Sequence, residues 1–416
     1  MSFKALFSRS LGANPDRLHF AAHSHHLWPD ASFDGQVEAW SDAARLADAK
    51  WDRVMGEVWP QAQAHVAREL GTGMPEAIVF APNTHDLLVR LCAAVPRRSG
   101  PPLSVLTSSG EFHSARRQLA RWRESGDIEL DQIDTDPFDS FAERFLAAAA
   151  TGRHDLIFVS QVMFGSGRIF DRVAELAQLA RPEGPWVVID GYHAFMAIPR
   201  PLPLAGGEEV RSTEGVRESL PRTNSPNPQP PPASGSGSAF YLAGGYKYAM
   251  AGEGCAFLHA PPGFGPRPPI TGWYAEFDDL TLPPGSVGYA PDARRFMGAT
   301  FDPSALYRFN AVQRMLLESG LTTRRISAHV GELQQQFLAG IPQTALGSAE
   351  LLNPLGKQTH ARFLAFRHPD AQRWYAELKA RDCITDVRGE VLRVGFGIYQ
   401  DDADVEALLQ LLGRLR

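Results

Sequence analysis

Short apolar runs recur along the first two thirds of the chain, separated by amphipathic stretches of helical period. The runs are Ala77 to Ala81, Leu103 to Thr107, Ile128 to Ile133, Leu156 to Gln161, Trp186 to Asp190, Ala239 to Leu242 and Cys255 to His259. Helical patterns fall between them at Asp86 to Ala94, Ser114 to Glu124 and, most clearly, Asp171 to Ala180. Runs this short with helices between them predict βαβ units, hence an α/β fold around a mainly parallel, seven-stranded sheet covered on both faces. After residue 302 the texture changes. Pro303 to Glu318 reads as a long helix, Arg362 to Arg367 and Val391 to Ile398 as strands, and Ala403 to Leu412 as a closing helix. That pattern predicts a smaller α+β C-terminal lobe over 303–416, beside a large domain over 51–302. Residues 1–50 then form an N-terminal segment joining the small lobe and the site wall. Ala205 to Gly237 breaks the rhythm with SPNPQPPPASGSGS and little aromatic or β-branched content, so a disordered surface insertion is expected there.

Composition narrows the partners. A chain of 416 residues that is 44% hydrophobic can build a large core, and two lobes fit that length. A formal charge of -6 with interspersed acids and bases gives no sustained basic face, which argues against nucleic acid and for a small-molecule partner. No run approaches the roughly 18 apolar residues of a membrane span, and the first ten residues lack a secretory apolar region, so a cytoplasmic protein is expected. Three scattered cysteines, Cys92, Cys255 and Cys383, suit free thiols better than a disulfide framework or a cysteine-based metal site.

Two residues stand out chemically. WVVIDGYH sets Asp190 at the carboxyl end of a buried strand, the edge at which α/β sheets collect ligands. FYLAGGYKYAMAGEGCAF sets Lys247 among small and aromatic residues, where a lysine is costly without a role. Taken singly, Asp190 could cap a turn and Lys247 could snorkel to solvent. Taken together, a lysine and a strand-end carboxylate suit pyridoxal 5'-phosphate (PLP), which needs an amine for its imine and an acid to keep the pyridine nitrogen protonated.

Asp190 and His193 as Asp-x-x-His, then Tyr246-Lys247-Tyr248 and a Gly-rich strand into Phe257, resemble class V of the fold-type I PLP-dependent enzymes, and within it the kynureninases. The resemblance extends from about Phe20 to the last strand, the insertion excepted. It implies a PLP-dependent transferase-like fold and a catalytic set of Lys247 as the imine former, Asp190 as the pyridinium partner and Tyr246, also a phosphate ligand. It also implies His193 as a neighbour on the cofactor face. APNTHDLLVRL resembles the phosphate loop, implying contacts from Thr84 and His85 at a helix N-terminus, with Asp86 as the register alternative and a plain N-cap as the other role for Thr84. SSGEFHSARRQLARW resembles the segment whose aromatic residue stacks on the cofactor, implying Phe112, although a hydrophobic staple would use the same residue. PPITGWYAEF and RRFMGATFDPSALY imply Trp273 and Thr300 as cofactor contacts, Trp273 reaching the other subunit of a homodimer with active sites near its interface. DVRGEVLRVGFGIYQ resembles the strand whose arginine grips the substrate carboxylate, implying Arg393, with a surface ion pair as the competing role.

HFAAHSHHLWPD stands where the resembled family carries Asn-Ser-Leu-Gly, so Ser24 and His25 are the substrate-wall candidates. The histidines there lack a cysteine or carboxylate at ligand spacing, and no metal is expected. FGSGRIF lacks the context of a dinucleotide fingerprint. The resemblance implies an enzyme acting on an amino acid by kynureninase-like hydrolysis of a Cβ–Cγ bond, releasing alanine. Class V transamination is the alternative. Cysteine desulfuration is disfavoured because Cys383 begins a strand instead of sitting on a mobile loop. A catalytically silent regulatory protein with the same fold is the alternative from another class.

Overall fold

The computed structural model describes residues 2–98, 100–202, 239–277, 283, 285–356 and 360–415. The segment 205–237, expected to be a disordered insertion, lies outside the described residues.

Seven strands form the large sheet: β1 (Ile78–Ala81), β2 (Leu103–Ser108), β3 (Ile128–Ile133), β4 (Leu156–Ser160), β5 (Trp186–Asp190), β6 (Phe240–Gly244) and β7 (Ala256–His259). Their order is β1-β7-β6-β5-β4-β2-β3. The β2, β3, β4, β5 and β6 pairings are parallel, whereas β7 runs antiparallel to both β1 and β6. Every residue of β4 and β6 is buried, as expected for strands covered on both faces. Helices α1 (Asp30–Leu46), α2 (Trp59–Leu70), α3 (Thr84–Ala94), α4 (His113–Glu124) and α5 (Phe141–Ala150) belong to this layer system.

The pattern over Asp171 to Ala180 yields only the short helix α6 (Val173–Ala177). The amides of Gln178, Leu179 and Ala180 each bond three residues back, so the helix tightens into turns ahead of Pro182.

Helix α7 (Ser304–Glu318) follows the large sheet in sequence and stays with it in space. Its Leu306, Phe309, Val312 and Leu316 lie in the same apolar cluster as β1 to β7. A second cluster gathers Val330, Leu333 and Phe337 of α8 (Thr323–Gly340) with Leu364, Phe366, Leu392 and Val394 and with residues of α9 (Ala371–Lys379) and α10 (Asp402–Leu412). α7 therefore packs with the large sheet although it lies beyond residue 302. The small lobe's sheet is antiparallel, β8 (Glu350–Leu351), β9 (Phe363–Arg367), β10 (Asp386–Arg388) and β11 (Val391–Gly395) in the order β10-β11-β9-β8. β11 ends earlier than the pattern to Ile398 suggested, because the Gly397 amide leaves the ladder for the Gln400 side chain.

The N-terminal segment ties into the small lobe. Leu18–His19 pairs with Cys383–Ile384, and Phe20 is buried in the second cluster. Two glycines mark close approaches. A Cβ on Gly191 would collide with the Tyr241 hydroxyl, and one on Gly395 with His23 Nδ1. No helix of the described residues is long and apolar enough to cross a membrane.

Candidate functional site

Ser108, Ser160 and Asp190 end β2, β4 and β5, so three parallel strands deliver them to one sheet edge. Above that edge opens a cavity of about 360 Å³ lined by Ser24, Thr84, Phe112, Asp190, Tyr192, His193, Tyr246, Lys247, Arg388 and Arg393, among others. Eight of the residues singled out in the sequence thus meet around one space: Ser24, Thr84, Phe112, Asp190, His193, Tyr246, Lys247 and Arg393.

Lys247 occupies the turn between β6 and β7, and the Met250 amide closes that turn on the Lys247 carbonyl at 3.0 Å. Its amine meets His193 Nε2. Burial pushes the amine down to about 7, and the guanidinium of Arg393 pushes the same way against Asp190. Asp190 is pushed up to about 6 by burial, opposed by the bond from the Tyr192 amide at 2.9 Å and by the Lys247 charge. Burial holds His193 neutral, and its Nδ1 has no hydrogen-bond partner.

Thr84 is the first residue of α3, and the N-cap is Asn83, whose side chain accepts the Asp86 amide at 2.9 Å. The plain-cap role considered for Thr84 therefore belongs to its neighbour, and Thr84 faces the cavity at a helix N-terminus. Phe112 leads into α4 as its N-cap residue and meets Phe164 edge-on at 5.4 Å. Arg393 lies within β11, its guanidinium bonded to Asp386 and to the Phe164 carbonyl, while its buried Nε has no partner.

Four predicted residues stand apart. His85 is exposed on α3 and does not line the cavity. His25 acts at one remove, bonding the Tyr246 hydroxyl at 2.9 Å. Trp273 and Thr300 are joined to each other at 3.3 Å, away from this chain's cavity, with Trp273 43% exposed. The histidines of HFAAHSHH disperse: His19 bonds the Tyr399 hydroxyl, His23 stacks on Phe363, and His26 bonds the Leu27 carbonyl. Among the described residues no group of three or more His, Cys, Asp or Glu is placed to hold a metal.

The sequence reading passed over Glu111, Ser160, Tyr192, Phe164, Asp386 and Arg388. Glu111 is buried between β2 and β4, taking bonds from the hydroxyls of Ser108 and Ser160, the latter at 2.6 Å. Burial pushes its carboxyl up to about 7 despite those bonds. Its position directly before Phe112 was a usable signal. Asp386 and Arg388 were also readable, since strand alternation puts them on one face.

Residues 326–412 match the kynureninase C-terminal domain. Isopenicillin N epimerase of Streptomyces clavuligerus is 29% identical over 267 residues, covering 61% of this chain and 57% of that protein. The chain thus spans little more than half the length of that relative. An apo cysteine desulfurase of Thermococcus onnurineus NA1 superposes with a TM-score of 0.74 at 17% identity, covering 98% of this chain and 97% of the other. A cysteine desulfurase of Escherichia coli gives 0.74 at 14% identity, covering 99% and 97%.

The fold is that of class V, fold-type I PLP-dependent enzymes. The cavity suits that cofactor on its own chemistry. A buried amine that loses its proton near neutral pH and a half-buried carboxylate line the same space, a phenyl ring borders it, and a helix N-terminus bearing Thr84 offers amides to a phosphate. All three cysteines are buried, and burial pushes each thiol up to about 12.

Proposed function

We propose that this PLP-fold chain is an enzyme acting on an amino acid, and that its reaction is kynureninase-like hydrolysis of a Cβ–Cγ bond with release of alanine. The observation that carries the reading is Lys247 itself, a buried lysine whose amine shares the cavity with Asp190. The bound cofactor supplies an electron-poor ring that withdraws electrons from the substrate Cα.

The residues divide the remaining work. Lys247 anchors the cofactor and moves the proton at Cα, with His193 Nε2 beside its amine to share that proton. Asp190 would keep the ring nitrogen protonated, the state in which the ring withdraws electrons. Thr84 and Tyr246 would hold the phosphate, His25 positions the Tyr246 hydroxyl, and Phe112 would border the ring. Arg393 receives the substrate carboxylate through donors left over from Asp386 and Phe164, with Ser24 on the facing wall. The kynureninase C-terminal match includes both Arg388 and Arg393.

Transamination is the second reading, favoured by the Lys247 and His193 contact, because a proton moved at Cα needs no water-placing residue. The buried thiols speak against desulfuration through a cysteine nucleophile. Trp273 and Thr300, outside this chain's cavity, fit contacts to the cofactor of a second subunit in a homodimer.

Incubating the PLP-loaded protein with amino acids including L-kynurenine and 3-hydroxy-L-kynurenine, then weighing the products, separates the readings. Alanine with an aromatic acid supports hydrolysis. A keto acid supports transamination, and no product from any amino acid points to the silent regulatory role.

A further inference from the structure

Asp386, Arg388 and Arg393 lie on one antiparallel hairpin, in which Asp386 pairs with Arg393 and Arg388 with Val391. Side chains two apart on a strand share a face, so all four project to the same side, and both arginines line the cavity. The Asp386 carboxylate is divided between them. One oxygen takes Arg388 Nη1 at 3.1 Å and the other takes Arg393 Nη2. The two guanidiniums sit at different depths, the Arg393 side chain 3% exposed and that of Arg388 45% exposed. Arg393 is thus the inner fork and Arg388 the outer, solvent-reaching one. Among the described residues lining the cavity, the cationic groups of Lys247, Arg388 and Arg393 face one acid, Asp190.

One carboxylate therefore serves two five-donor forks, and each keeps donors for something else. Arg393 has an unpartnered buried Nε. Among the described residues Arg388 bonds Asp386 and the Val387 carbonyl, both through Nη1. Phe112 and Phe164 line the same cavity and give it an apolar surface for a side chain to lie against.

We propose that the cavity is built for two anions: Arg393 holds the α-carboxylate, and Arg388 holds a second anionic group at the far end of the substrate side chain. This rests on the reading of the protein as a PLP-dependent enzyme of amino acids, and it specifies their class as those with an acidic side chain. Asp386 is the positioning residue for both forks, holding them apart by binding one on each oxygen.

The test compares acid and amide pairs of nearly equal shape, L-aspartate with L-asparagine and L-glutamate with L-glutamine, titrated into the PLP-loaded protein. Binding is read by calorimetry and by the cofactor's absorption band. In the wild type at least one acid should bind at least about tenfold more tightly than its amide, the value of one charge-assisted hydrogen bond. Arg388→Gln should reduce that preference to under about threefold by weakening the acid more than the amide, and Arg388→Lys should keep part of it. The preference should also shrink at high salt, because Arg388 is half exposed. Equal binding of acid and amide by the wild type, or a preference that survives intact in Arg388→Gln, would overturn the two-anion site. A protein with no lysine-linked chromophore that still prefers the acids in calorimetry would sink the cofactor reading while supporting this one, and a chromophore without acid preference would do the reverse.

Discussion

At the scale of single residues, the site depends on burying groups that normally carry charge. Lys247 loses its proton near pH 7 because burial and Arg393 disfavour the ammonium. The free amine is the form that can attack a carbonyl, so covalent capture of PLP by the cofactor-free protein should speed up as pH rises through about 7 and level off above it. Stopped-flow absorbance checks this, and a rate that kept rising toward the pH of an ordinary lysine would show that the amine is not buried as described. Asp190→Asn should keep the covalent link to Lys247 but lower turnover by roughly a hundredfold or more, since without the carboxylate the ring nitrogen is less readily held protonated and withdraws electrons less. Glu111 carries a stability signature. Its folded carboxyl titrates at about 7, above its ordinary value, so its contribution is fully present at acid pH and is lost as pH rises through about 7. The stability of wild type relative to Glu111→Gln, from urea denaturation, should therefore fall between mildly acid and neutral pH. A difference independent of pH would mean that Glu111 is not a buried, titrating acid.

At the scale of elements, the long periodic segments were legible and the short contacts were not. WVVID and IELDQI were read to the residue because a buried parallel strand has an unbroken apolar run or a clear alternation. Asp171 to Ala180 had helical periodicity yet winds into turns, because Pro182 and Pro185 lie just beyond it. Lys247 and Asp190 were legible because each is a costly residue in an apolar or strand-edge setting, and Arg393 through the resemblance of its strand. Glu111 and Asp386 carried only the weaker signals of position and alternation, since their partners lie on other strands. The hairpin offers a test of its own. Gly395 leaves room for His23, which stacks on Phe363 and faces Asp386 at 3.6 Å. Gly395→Ala should overpack that contact and cost roughly 1–3 kcal/mol. It should also weaken amino-acid binding, because the same strand carries Arg393. Unchanged thermal stability would show that His23 moves aside freely.

At the scale of the whole molecule, the sheet and the small lobe each supply half of a site that neither could form alone. The sheet edge brings Asp190 and Lys247, and the small lobe's hairpin brings Arg388 and Arg393. Phe33, Val37 and Trp40 form an exposed apolar stripe along α1, at spacings of four and three residues, and Trp40 is 72% exposed. A homodimer would give such a stripe cover, and light scattering should return twice the mass of one chain; a single-chain mass would leave Trp273 and Thr300 without the second cofactor proposed for them. The measurement that tests the central claim most directly is borohydride reduction of the PLP-loaded protein, followed by peptide mapping. The sequence holds five lysines, and the account predicts the cofactor's mass on the peptide carrying Lys247 and none in Lys247→Ala. The cofactor's mass on a peptide carrying Lys4, Lys50, Lys357 or Lys379, or no covalent attachment at all, would contradict it.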